Sequence, residues 1–303
     1  MVNTQTDRGI WREGRMKATT FRQFYREWQP GEEGSLPVLA LHGSLTQSGM
    51  WRELAERIGS VRMLCPDLRG YGKSEDPQGD ACAEFARDVL ALADALLPGR
   101  FVAMGHSFAC SIALELANAA PARVAGVVLV DPVVRVPGVP APSGPPAPHP
   151  ESFASIEEAG RYFAATEEGE WTAAALARFA RDIMIEESGR WRLPYRYERL
   201  KRLRTFTVSP ASDYNLLAKA RLVNAPVLVF RGGASKRFAA AAEEPFAAAF
   251  ASPPEVVLCP RSGHFPTTTE PDIVAAALLE FLSSERLGIP RFAVSRTAPE
   301  QSE

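Results

Sequence analysis

Apolar and polar positions along the chain follow two alternating rhythms. Short apolar runs occur at 38–41, 101–104, 124–130 and 226–230, with less pure ones at 61–65 and 255–259. Between them, at 51–58, 83–97, 111–120 and 273–282, apolar residues return every three or four positions. The short runs predict strands buried on both faces, and the 3.6-residue period predicts helices that cover them. Their alternation predicts an α/β architecture with a mostly parallel sheet and helices on both faces. Residues 18–28 alternate between apolar and polar and predict an early hairpin, whereas 1–16 are polar and read as a tail.

The rhythm stops after Asp131. Residues 132–150 contain eight prolines, too many for a helix or a central strand. From 151 to about 218 the pattern is helical, with no run that would make a buried strand. The predicted organisation is therefore an α/β core, 17–136 and 218–288, interrupted by a helical insertion at 137–217. Residues 289–303 read as a second tail. Both ends of the insertion return to one sheet, so a cap over the site is the economical reading.

Candidate chemistry sits where a strand should meet a helix. Gly105-His106-Ser107-Phe108-Ala109 follows the run 101–104 and precedes the helix 111–120. Strand, sharp turn with a central serine, then helix is the layout of a nucleophile elbow. Gly105 and Ala109 supply the small residues that let strand and helix backbones pass closely, though Ala109 adds a methyl where glycine is usual. A serine hydroxyl needs a base within hydrogen-bond reach. Of four histidines, His264 follows the last strand and fits best; His42, His106 and His149 have poorer placements. Charge developing on a carbonyl oxygen needs fixed donors, and the backbone N–H groups of Ser44 and Phe108 are the candidates.

With these residues in place, the chain resembles capped serine hydrolases of the α/β-hydrolase fold. The resemblance spans about 17–288. It rests on Leu41-His42-Gly43-Ser44, on Pro66-Asp67-Leu68-Arg69-Gly70-Tyr71-Gly72-Lys73-Ser74, on the elbow, on 226–233 and on Gly263-His264. It implies an eight-stranded sheet and a site at the strands' carboxyl ends. Residues 42–51 are similar to the oxyanion loop of small aryl esterases and perhydrolases. A serine rather than an aspartate at 107 sets the chain apart from the haloalkane-dehalogenase and epoxide-hydrolase branches. The family's usual acid position falls on Ser235 or Lys236, and no Asp or Glu occurs between Asp213 and Glu243. Three alternatives follow: an acid moved one strand back to Asp131, which is preferred; Glu243 or Glu244 folding back; or no acid.

Bulk properties narrow the classes. The 303 residues carry 34 Lys and Arg against 36 Asp and Glu, which excludes the basic balance of a nucleic-acid binder. No apolar run approaches a membrane span and no signal peptide is visible. Four scattered cysteines read as reduced, buried thiols. The expectation is a cytoplasmic bacterial protein, monomer or homodimer, acting on a small molecule without cofactor, metal, nucleic acid or membrane. The basic, aromatic stretch 190–204 could recognise an anion, but reads first as a solvated face. The expected function is cleavage of an ester, lactone or activated carbon–carbon bond. A non-hydrolytic lyase or cyclase using His264 as base, or a ligand-binding pseudoenzyme, remains the alternative.

Overall fold

The structure is a computed structural model that describes residues 3–17, 19–31, 35–77, 79–139, 150–208 and 212–288. The expected tail at 289–303, much of the proline-rich segment and His149 lie outside the described residues. In chain order the strands are β1 (Asn3–Thr6), β2 (Gly9–Lys17), β3 (Arg22–Pro30), β4 (Val38–Leu41), β5 (Met63–Pro66), β6 (Phe101–His106), β7 (Val124–Val130), β8 (Ser152–Phe153), β9 (Ile185–Glu187), β10 (Arg190–Arg192), β11 (Val227–Gly232) and β12 (Glu255–Cys259). The helices are α1 (Arg52–Ile58), α2 (Cys82–Leu96), α3 (Ala109–Ala119), α4 (Ile156–Thr166), α5 (Ala173–Ile183), α6 (Tyr197–Val208), α7 (Leu216–Ala220), α8 (Glu243–Ala247), α9 (Pro266–Thr269) and α10 (Pro271–Leu282).

The main sheet has the order β1-β2-β3-β5-β4-β6-β7-β11-β12. From β5 onward every pairing is parallel, while β1 to β3 join antiparallel at one side. The eight strands from β2 to β12 are those expected of the fold, and β1 adds a short ninth at the edge. All residues of β4, β6, β7 and β11 are buried, because a parallel sheet is covered on both faces. The chain goes from β4 to β5 on one side and then crosses to β6 on the other. Open α/β sheets bind ligands at such a reversal, at the strands' carboxyl ends. Register brings those ends together: Leu41 pairs with Gly105, His106 with Val130, Val130 with Phe230, and Gly232 with Cys259.

Two expectations need correction. Most of 1–16 is not a tail but β1 and β2, so the early hairpin starts well before residue 18. Trp11 is the cause: it is buried, packs on Trp28 with ring centroids 5.5 Å apart, and donates its indole N–H to Glu56 over 3.0 Å. The strand's other face is solvated, so its charged residues hid the alternation. The insertion is also not purely helical. Alongside α4 to α6 it carries a three-stranded antiparallel sheet, β8-β10-β9, whose residues other than Phe153 are only partly buried or exposed and so left no apolar run to read.

The insertion lies against the core through a train of aromatic rings. Phe153, Tyr162, Phe163, Phe179 and Trp171 touch in sequence, and Phe179 and Trp171 meet Phe265 of the core at 4.8 and 5.9 Å. Arg199 on α6 is buried and pairs with Asp76 and Asp80. Gln47 of the loop after β4 donates to the carbonyl of Asp182 over 2.9 Å.

Candidate active site

Ser107 occupies the turn between β6 and α3 with φ of 59°, a left-handed conformation that costs free energy in a non-glycine residue. Its N–H is pinned to the Val130 carbonyl at 3.0 Å. Gly105 is obligatory here, since a Cβ would stand 2.3 Å from the Ala109 carbonyl oxygen. Ala109 is fully buried, so its methyl is accommodated. The hydroxyl of Ser107 lies 2.9 Å from Nε2 of His264, and Nδ1 of His264 lies 2.6 Å from Oδ2 of Asp131. Asp131 ends β7 with φ of 42°, held by its N–H to the Phe230 carbonyl at 2.8 Å. Ser107, His264 and Asp131 are 6%, 3% and 0% exposed, so the line of hydrogen bonds runs from the cavity into the core.

Asp131 is satisfied from the neighbouring strand. The N–H of Gly232 donates to Oδ1 at 3.0 Å, and the hydroxyl of Ser235 donates to Oδ2 at 2.6 Å. Burial pushes the Asp131 carboxyl up to about 6 against these hydrogen bonds. Burial, with the charges of Arg237 and Arg204, holds the His264 imidazole well below its ordinary value. Above about pH 6 the pair is aspartate and neutral imidazole. Nδ1–H then donates to Asp131, and the Nε2 lone pair faces the serine hydroxyl.

The loop after β4 is fixed by Asp67, whose Oδ1 accepts from the Ser48 N–H at 2.8 Å and Oδ2 from the Lys73 N–H at 2.8 Å. That loop presents Ser44 beside Ser107 and Phe108 in one cavity. Among the described residues, neither the Ser44 N–H nor the Phe108 N–H has a hydrogen-bond acceptor. Phe108 opens α3, where the helix dipole favours negative charge.

A model of the alpha/beta hydrolase family matches residues 38–277. The chain belongs to this family. Lipase LipV of Mycobacterium tuberculosis is 34% identical over 108 residues, 36% of this chain and 41% of that protein. A haloalkane dehalogenase of Agrobacterium fabrum is 36% identical over 107 residues, 34% and 35% of the two chains. The similarity thus spans well under half the length of these curated relatives. Among solved structures, E-2-(acetamidomethylene)succinate hydrolase superposes with a TM-score of 0.74 at 22% identity, over 90% of this chain and 100% of that one. An alpha/beta hydrolase from Novosphingobium aromaticivorans gives a TM-score of 0.70 at 25% identity, over 93% and 100%.

In this alpha/beta hydrolase the remaining sequence candidates separate clearly. Glu243 is paired with Arg231 at 2.6 Å, and Lys236 points to solvent, 75% exposed. His42 accepts the Leu68 N–H on Nε2 at 3.0 Å and, pushed down to about 4 by burial, serves as a neutral strut. His106 does not line the cavity; it is buried against His264, with its Nε2–H donating to the His264 carbonyl at 2.7 Å and the two rings 4.6 Å apart. The basic stretch is mostly structural, with Arg192 on Glu187, Arg199 on Asp76 and Asp80, and Arg202 on Asp80. Of the stretch, Leu200, Leu203 and one arginine, Arg204, line the cavity, and Arg135 and Arg237 join Arg204 there. Sequence reasoning missed Arg135, Arg237 and the role of Ser235 as a donor to Asp131. The tight Gly232-Gly233 turn before Ser235 was the available signal for the last.

No helix among the described residues is long and apolar enough to cross a membrane, and no group of His, Cys, Asp or Glu there could hold a metal ion.

Proposed function

We propose that this protein is a serine hydrolase that cleaves an ester, or a chemically related lactone or activated carbon–carbon bond, of a small molecule through an acyl-enzyme on Ser107. The observation that carries the reading is the buried chain Ser107–His264–Asp131, with contacts of 2.9 and 2.6 Å. On an ester, the Ser107 oxygen attacks the carbonyl carbon while its proton passes to Nε2 of His264. The resulting oxyanion is held by the N–H groups of Ser44 and Phe108. As the carbon–oxygen bond to the alcohol breaks, His264 returns the proton to the leaving oxygen. Water then attacks the acyl group, with His264 again taking and returning one proton, and the acid departs. Asp131 orients the imidazole and stabilises its charged form. The insertion acts as a cap that excludes bulk water and shapes the cavity.

The non-hydrolytic alternative drew its force from the missing acid after β11. Asp131 at 2.6 Å from His264 supplies a carboxylate from the adjacent strand, so the hydrolytic reading is better supported. The four cysteines are buried and unpaired, which fits a reducing compartment such as the cytoplasm. The test is intact mass after treatment with a fluorophosphonate, on the wild type and Ser107→Ala. One adduct on the wild type and none on the variant is expected. A folded wild type that takes no adduct would falsify the acyl-enzyme reading.

A further inference from the structure

The cavity before Ser107 receives three arginines from three separate segments: Arg135 beyond β7, Arg204 on α6 and Arg237 after β11. Among the described residues no carboxylate lines it. Glu168 and Glu167 meet Arg237, at 2.6 and 3.3 Å, without lining the cavity. Burial pushes Glu167 up to about 7, so its charge is incomplete at neutral pH. Guanidinium groups stay charged throughout that range. They also crowd one another: burial first, then the charges of Arg237 and Arg135, holds Arg204 below its ordinary value against the opposing pull of Glu167.

This crowding bears on the chemistry. His264 must become positive as Ser107 attacks, and the charges of Arg237 and Arg204 oppose that. A neutral substrate leaves the opposition in place. An anionic one removes it at the moment of reaction and also relieves the repulsion among the arginines. The rest of the lining includes Leu45, Val133, Leu200 and Leu203, suited to a short hydrocarbon chain between charge and reacting carbonyl. The cavity opens in part to solvent, which gives a small molecule a way to Ser107.

We propose that the substrate is an ester bearing a carboxylate, which Arg135, Arg204 and Arg237 bind while the ester carbonyl meets Ser107. The assignment rests on the hydrolase reading above, and guanidinium forks suit carboxylates in particular. The probes are the mono-4-nitrophenyl ester of adipic acid and its neutral counterpart, in which the free carboxylate is replaced by an amide. Charge-assisted hydrogen bonds of the usual strength predict kcat/KM at least about tenfold higher for the acid. Arg204→Gln should cut that preference about tenfold while raising kcat on the amide, since one charge opposing His264 is gone. A merely structural role for Arg204 would lower both substrates alike, and that result, or equal turnover by the wild type, overturns the proposal.

Calorimetric titration of Ser107→Ala with both esters reads the charge preference without turnover. Tighter binding of the acid is expected, and equal or absent binding overturns the proposal. Failures remain separable. A wild type that resists fluorophosphonate while Ser107→Ala prefers the acid keeps the anion site and loses the hydrolase reading. A labelled protein with no charge preference does the reverse.

Discussion

The end of β7 and the loop after β11 stand side by side in the sheet and offer a carboxylate the same target, Nδ1 of His264. In this protein the first carries Asp131 and the second carries Ser235, and the hydroxyl of the second donates to the carboxylate of the first at 2.6 Å. Parallel strands lie only about 4.8 Å apart, so one side chain can approach the ring nitrogen from either strand end. The position in the chain is therefore less constrained than the position in space. The loop after β11 has exchanged a charge for a hydrogen-bond donor, which supports a charge arriving from β7.

The sharpest way to break this comparison is Asp131→Asn. If the carboxylate at the end of β7 orients His264, kcat/KM on an activated ester should fall about 10⁴-fold, as when a triad acid is neutralised. Unchanged turnover would return the role to another residue or to none. Stability should move the other way. The carboxyl keeps its proton up to about pH 6 in the folded chain, against 3.8 for the unperturbed group. The folded state thus binds more protons across that window and loses stability as pH rises through it. Asp131→Asn should raise Tm above pH 6, with the gain fading below pH 4, as measured by calorimetry across pH.

Moving the charge sharpens the comparison further. Asp131→Asn combined with Ser235→Asp places a carboxylate where the Ser235 hydroxyl now sits. The double variant should recover about tenfold over Asp131→Asn alone, because a charge-assisted contact to Nδ1 becomes possible from the other strand. No recovery in a folded double variant would mean that the β11 loop no longer aims at the imidazole, and that the two positions are not interchangeable here.

How much of this was legible depended on whether the signal was local. Ser107 lies in a contiguous strand–turn–helix pattern, and Gly105 marks the close approach that pattern demands. His264 followed from its place after the last strand. Asp131 could be reached only by elimination together with the spacing of neighbouring strands. Ser235 reads in the sequence only as the vacant acid position: the Gly232-Gly233 pair marks a tight turn, but the direction of a short hydroxyl depends on how that turn packs. Arg135 and Arg237 were illegible for a related reason: they meet Arg204 only after β7, β11 and the insertion have come together. The N-terminal strands were lost in another way, since a strand with one solvated face reads as polar unless its single large anchor, Trp11, is weighted.

The smallest change tests whether the hydroxyl at 235 serves the carboxylate or merely fills space. The hydrogen bond from Ser235 lowers the Asp131 carboxyl, as do the N–H of Gly232 and the charge of Arg237, all against burial. Ser235→Ala removes one of these and leaves the others. The carboxyl should therefore rise further above about 6, so that the acid limb of the kcat/KM profile moves to higher pH by about one unit. At pH 8.5, where Asp131 is still ionised, the loss should be only about threefold, reflecting a less firmly held carboxylate. Ser235→Thr keeps the donor and should restore the limb. An Ala variant that loses activity equally at every pH, with its acid limb in place, would show that the hydroxyl shapes the loop without tuning the charge. The comparison between the two strand ends would then be one of geometry alone.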